Sequence, residues 1–150
     1  VFMSYVLSFL YLGIYLNNHH HLFQAAKHVN SRVLWANIHL LFWLSLLPFA
    51  TGWSGENHFQ ALPTALYGLV LFMAGVAYFL LVHALTASHG KDSALAKAVG
   101  KDWKGLGSAG AYAASIPLAF LSPYLALAVH WVVAAWWLIP DTRMESALKG

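Results

Sequence analysis

The residues best equipped for chemistry stand together in Tyr15-Leu16-Asn17-Asn18-His19-His20-His21-Leu22-Phe23. Neutral imidazoles bind zinc or haem iron, and histidine and asparagine both make strong hydrogen bonds between helices. Asn37, His39, His83, His89 and His130 follow at intervals along an otherwise apolar chain. One reading is a metal or haem site, with His39 and His83 as axial haem ligands or the triplet holding zinc. Successive residues of a helix point about 100° apart, so three neighbouring histidines cannot all face one metal. The useful spacing is i, i+3 or i, i+4. A desaturase-like centre needs several separated histidine boxes, and the sequence has one tract. A second reading is an interhelical polar layer, because Asn17, His20 and His21 share a helical face. The Gly105-Leu106-Gly107-Ser108-Ala109-Gly110 string matches GxGxxG. It follows no strand and has no acidic partner about 20 residues on, so it reads as small residues for close helix packing and not as a dinucleotide loop.

These residues must be positioned by elements that are almost entirely hydrocarbon. Of 150 residues, 60% are hydrophobic and 9% charged, against roughly 25% charged in an ordinary soluble domain. So few charges cannot cover a water-facing surface, and lipid must cover much of it. The net charge of +3 does not indicate nucleic acid, because the basic residues lie in short loops between apolar runs. With no cysteine, thiolate sites, disulfides and a cysteine nucleophile are excluded. The hydrocarbon core of a bilayer, about 30 Å thick, takes about 20 helical residues to cross. Five runs approach that length, about residues 2–21, 33–50, 63–86, 106–121 and 123–139, which predicts one all-α, polytopic membrane bundle. Ser122-Pro123 reads as an N-cap followed by proline at the first helical position, closing the last two spans into a hairpin.

Charge sets the expected orientation. Lys27 and Arg32 lie between the first two spans, four lysines between the third and fourth, and Arg143 and Lys149 after the fifth. The other two connections carry no Lys or Arg. The positive-inside rule then places those three segments and the C-terminus in the cytoplasm. Five spans put Val1 outside, and one further helix upstream would bring the N-terminus inside. The spans contain no Lys, Arg, Asp or Glu. The layer near the cytoplasmic face is expected to gather Asn17, Asn18, His20, His21, Asn37, His39 and His83.

The Asn-His-His tract, then Leu34-Trp35-Ala36-Asn37, then Leu46-Leu47-Pro48-Phe49 resembles the second and third helices of the transmembrane protein 175 potassium-channel family in its bacterial single-repeat form. The resemblance is strong over about residues 5–55. It implies a subunit of six helices with both termini cytoplasmic, assembled as a homotetramer in the cell membrane around a central pore that passes potassium. It implies no enzyme activity and no cofactor. The family's first helix lines the pore and carries Phe-Ser-x-x-Asp, which does not occur in this sequence, so the pore lining is expected outside it. What carries over is a supporting network near the cytoplasmic side: Asn18, His19, His20, His21, Trp35 and Asn37. His39, His83 and His130 receive no role from the resemblance. Two other classes stay open on the residues alone, a haem-binding membrane electron carrier using His39 and His83, and a purely structural membrane subunit.

Overall fold

A computed structural model describes residues 2–58, 60–90 and 103–138, together with Ser93 and Ala96. Among these residues the chain forms five helices: α1 Phe2–Ala25, α2 Ser31–Glu56, α3 Ala61–His89, α4 Trp103–Leu121 and α5 Pro123–Leu138. The expected all-helical class holds.

The ends are set by local chemistry. Asn30 caps α2, its side-chain oxygen accepting from the Val33 amide at 3.1 Å, which satisfies one of the orphan donors of a first turn. Pro48 does not end α2. The helix passes through it to Glu56, and the Thr51 hydroxyl donates to the Leu47 carbonyl at 2.7 Å in the turn behind the proline. The chain reverses at His58, whose φ of 53° is left-handed, while Asn57 donates from both backbone and side chain to the Trp53 carbonyl. Pro63 sits in the first turn of α3, where no intrahelical donor is required. Gly90, at φ 87°, closes α3 by donating to the Thr86 carbonyl at 2.9 Å. Pro123 opens α5 as expected, and the Ser122 carbonyl accepts from the Leu125 and Ala126 amides.

α3 is the centre of the bundle. It packs on α2, α4 and α5, and α1 packs on α2 and α5. Ala74 and Ala77 are fully buried on α3, beside Leu71, Leu81 and Leu85, and these small side chains let neighbouring helices approach closely. The outward faces are also apolar: Phe9, Phe42, Phe49, Phe79 and Phe120 are all exposed.

Two helices, α2 and α3, are long and apolar enough to cross a membrane. At about 1.5 Å per residue their 26 and 29 residues exceed the hydrocarbon thickness. α4 and α5 contribute apolar stretches of 106–121 and 123–137, which are shorter. α1 is long, but its Asn-His tract dilutes its apolar character. The lengths and composition of the described helices therefore support two of the five expected crossings directly. The helices also overrun the expected limits, α1 reaching Ala25 and α2 Glu56: the histidines continue the backbone ladder, and α2 runs on past Pro48 although the proline supplies no amide to the Leu44 carbonyl.

Candidate functional site

The helical rotation of α1 fans the Asn-His tract around its axis, so its members meet different surroundings. Asn17 is exposed. Asn18 donates from its side chain to the Ile14 carbonyl at 2.8 Å, and its own carbonyl receives the Tyr78 hydroxyl of α3 at 3.4 Å. His19 faces α2, with Nε2 2.6 Å from Asn37 Oδ1, and its ring lies 4.7 Å from that of Phe23. His20 is exposed and His21 half-buried, their ring centroids 6.0 Å apart. Trp35 is 71% exposed. Of the six residues expected to form the supporting network, the fold thus joins His19 to Asn37 and ties Asn18 to α3. Among the described residues, His20, His21 and Trp35 make no hydrogen bond to another helix.

The broader layer expected from the sequence does not form one network. His39 accepts from the Trp43 indole at 3.0 Å, one turn along its own helix. His83 is exposed and stacks on Phe79, also one turn away. Each of the two candidate haem ligands is therefore engaged on its own helix. No group of three or more His, Asp or Glu side chains is placed to hold a metal ion among the described residues.

At the same end of the bundle, the α1–α2 connection is clasped to the end of α3. The Lys27 amide donates to His89 Nε2 at 2.8 Å, and His28 Nε2 lies 3.0 Å from the Ser88 carbonyl. The His28 and His89 rings stack at 4.1 Å.

The structure also builds a polar centre that the tract did not point to. His130 of α5 is fully buried, with Nε2 3.0 Å from Ser115 Oγ of α4. Ser115 donates to the Tyr112 carbonyl at 2.6 Å, so its oxygen is left to accept from the imidazole N–H. The Tyr11 hydroxyl of α1 donates to the His130 carbonyl. Tyr67 of α3 meets the imidazole edge-on, centroids 4.8 Å apart. Four helices thus meet at His130, α1 through its backbone carbonyl and α3 and α4 through its ring, and among the described residues the Tyr67 hydroxyl and His130 Nδ1 are buried with no partner. Gly68 makes room for the cluster: a β-carbon there would lie 2.7 Å from Ser115 Oγ and 3.4 Å from His130 Nε2. Gly107 similarly abuts the Trp136 ring, at 3.2 Å from a built β-carbon. The small residues at 68 and 107 are therefore used inside the chain.

The hydrogen bonds of this cluster tie α1, α4 and α5 together. A model of the family described as endosomal/lysosomal potassium channel TMEM175 matches residues 1–48, the segment holding α1, Asn37 and most of α2. Over nearly its whole length, that segment included, the chain is 47% identical over 148 residues to a protein described as a potassium channel from Chryseobacterium sp. (strain P1-3), covering 99% of this chain and 77% of the relative. It is 28% identical over 157 residues to another protein so described, from Streptomyces collinus (strain DSM 40733 / Tue 365), covering 97% of this chain and 76% of that one. No solved structure matches it significantly. With nearly its whole length aligned at that identity, and the Asn-His tract inside the matched segment, the chain belongs to the TMEM175 potassium-channel family.

Proposed function

We propose that this chain is the helical frame of a bacterial potassium-channel subunit that conducts passively through the central pore of a homotetramer in the cell membrane. The observation that carries this reading is the near full-length similarity to a protein described as a potassium channel. In this reading all five helices cross the bilayer, with the basic connections and the C-terminus in the cytoplasm. The pore-lining helix is a further segment, since the family's Phe-Ser-x-x-Asp signature is absent from residues 1–150. Ions move down their gradient, and the geometry and wetting of a constriction on that helix set selectivity.

The polar residues near the cytoplasmic end then brace the pore helix and do not touch the ion. His19 and Asn37 lock α1 to α2. His20, His21 and Trp35, which bond to no other helix among the described residues, then engage the pore helix or a neighbouring subunit. Potassium is the permeant ion, and no cofactor takes part.

The test compares potassium and sodium flux into liposomes for residues 1–150 and for the same chain carrying its native upstream helix. Selective potassium flux is expected only from the longer protein. Selective flux from residues 1–150 alone would place the pore among α1–α5 and remove the bracing role. An intense visible absorption band in the purified protein would instead favour a haem carrier.

A further inference from the structure

The clasp between the α1–α2 connection and the end of α3 fixes where its two histidines carry their hydrogens. A carbonyl only accepts, so His28 Nε2, 3.0 Å from the Ser88 carbonyl, carries one. His89 Nδ1 lies 2.9 Å from the Leu85 carbonyl and carries one for the same reason. Ser88 Oγ, 3.0 Å from that nitrogen, donates its own hydrogen to the Leu85 carbonyl at 2.9 Å. The other nitrogen of His89, Nε2, accepts from the Lys27 amide at 2.8 Å, which requires a bare lone pair. His89 is therefore a neutral imidazole, and the atom at which it can take up a proton is the one that holds Lys27.

Protonation of His89 and the contact to Lys27 exclude each other. A hydrogen on Nε2 would point at the Lys27 N–H, two donors with no acceptor between them. The His28 and His89 rings also stack at 4.1 Å and 12°, so a charge on one stands face to face with the other. Against this, the C-terminal end of a helix favours a positive imidazole, and His89 lies in the last turn of α3. Opposing demands on one atom make the contact sensitive to acid, and histidine is the side chain whose charge changes between about pH 5 and 8. Among the described residues, the other ionisable groups on the elements that meet here are His19, His20 and His21 of α1, Lys27, Arg32 and His39 at the start of α2, and His83 of α3. None of these is an acid. The charged side chains from Lys91 to Lys104 lie outside the described residues.

We propose that His89 is a proton-operated latch: neutral, it holds the α1–α2 connection against α3, and protonated, it releases it. His28 keeps its bond in either state, because its Nε2 donates, so His89 is the sensor. The contact is present at the alkaline end of the range and lost as pH falls. The latch itself stands apart from conduction. Its consequence rests on the channel reading: the released connection no longer steadies the end of α1, which carries the histidine tract, so acid on the cytoplasmic side lowers potassium flux.

The test places a nitroxide on Val29→Cys, exposed in the connection, in the full-length protein in lipid nanodiscs. Any cysteine outside residues 1–150 is replaced by serine. The mobile fraction of the spectrum is expected to rise about threefold between about pH 8 and about pH 5. His89→Gln, whose side-chain oxygen accepts without titrating, should keep that fraction low throughout. His28→Phe, which retains a stacking ring, should keep the response. Potassium flux into liposomes should fall about threefold at acidic cytoplasmic pH, and His89→Gln should abolish that fall. Equal mobility at both ends of the range, or a response that persists in His89→Gln, would overturn the latch. A label that responds while flux does not would overturn its regulatory role. No potassium flux at any pH would strike the channel reading, and the label would still decide the latch.

Discussion

Ser115 Oγ and His130 Nε2 lie 3.0 Å apart across the α4–α5 hairpin, in a setting where both residues are buried. The serine also donates to the Tyr112 carbonyl, so its one hydrogen is already committed. The imidazole must therefore carry its proton on Nε2 and present a bare lone pair at Nδ1, which has no partner. The asymmetry gives the two residues different mutational costs.

Ser115→Ala is expected to destabilise the protein by about 1–3 kcal/mol, because it leaves both ring nitrogens of a buried histidine unpaired. His130→Leu should cost less. It removes the orphaned Nδ1 along with the bond, and Ser115 keeps the Tyr112 carbonyl as its acceptor. Thermal unfolding in detergent checks the order, and a larger loss for His130→Leu would mean that ring packing against Tyr67 outweighs the hydrogen bond.

Gly68→Ala tests the same cluster from α3. The new methyl would stand 2.7 Å from Ser115 Oγ, forcing the hydroxyl to rotate away from both of its partners. Overpacking of this kind typically costs about 1–3 kcal/mol. Gly110→Ala is the comparison, since a β-carbon there meets nothing within 4 Å. It should be neutral or stabilise by up to about 1 kcal/mol, the helix-propensity gain of alanine over glycine. Unfolding midpoints of equal sign for the two variants would contradict the close approach at residue 68.

The sequence made the helices legible and left their facing hidden. Apolar runs located all five, and Ser122-Pro123 marked the α4–α5 turn, because those signals are local. Where α2 ends was not legible. Pro48 reads as a stop, yet a helix supported by neighbours on its buried face can pass a proline at the loss of one backbone hydrogen bond. The histidine tract announced a polar layer without saying which ring meets a partner. A fully apolar helix has no amphipathic pattern to fix its rotation, and a shift of one residue, from His20 to His19, changes the neighbour entirely. His130 was missed because a lone histidine in an apolar run has no spacing signature. The hairpin could have found it: Ser115 and His130 lie nearly equidistant in sequence from Ser122, which puts them at one depth on facing helices.

A double-mutant cycle on His19 and Asn37 should give a coupling of about 0.6 kcal/mol and at most about 2, the range for hydrogen bonds between membrane helices. Neither His20→Ala nor His21→Ala should change the stability of residues 1–150 measurably, since neither side chain bonds to another helix among the described residues. In the protein with its upstream helix, the same two substitutions should partly reduce tetramer yield or current. A change chiefly in potassium-over-sodium preference, measured by reversal potentials, would place these histidines at the ion path and not behind it.

The orientation can be read directly, because the chain has no cysteine and any introduced thiol is the only one. Positive charge fixes the expectation: the two connections on one side hold Lys27, Arg32 and four lysines, and the two on the other hold no Lys or Arg. Glu56→Cys, at the exposed end of α2, should react with a membrane-impermeant maleimide on intact cells. Arg32→Cys and Ser93→Cys should react only after permeabilisation. The two sets of sites are separated by α2 on one side and α3 on the other, the two helices whose length and composition suit a crossing, so the pattern tests those spans without relying on the shorter α4 and α5. Thr142→Cys then extends the test to the hairpin. Two further crossings return the chain to the side of Ser93, so this thiol should stay protected until permeabilisation. Labelling of Thr142→Cys on intact cells, with Ser93→Cys protected, would mean that the α4–α5 pair crosses an odd number of times and that the chain does not contain five spans.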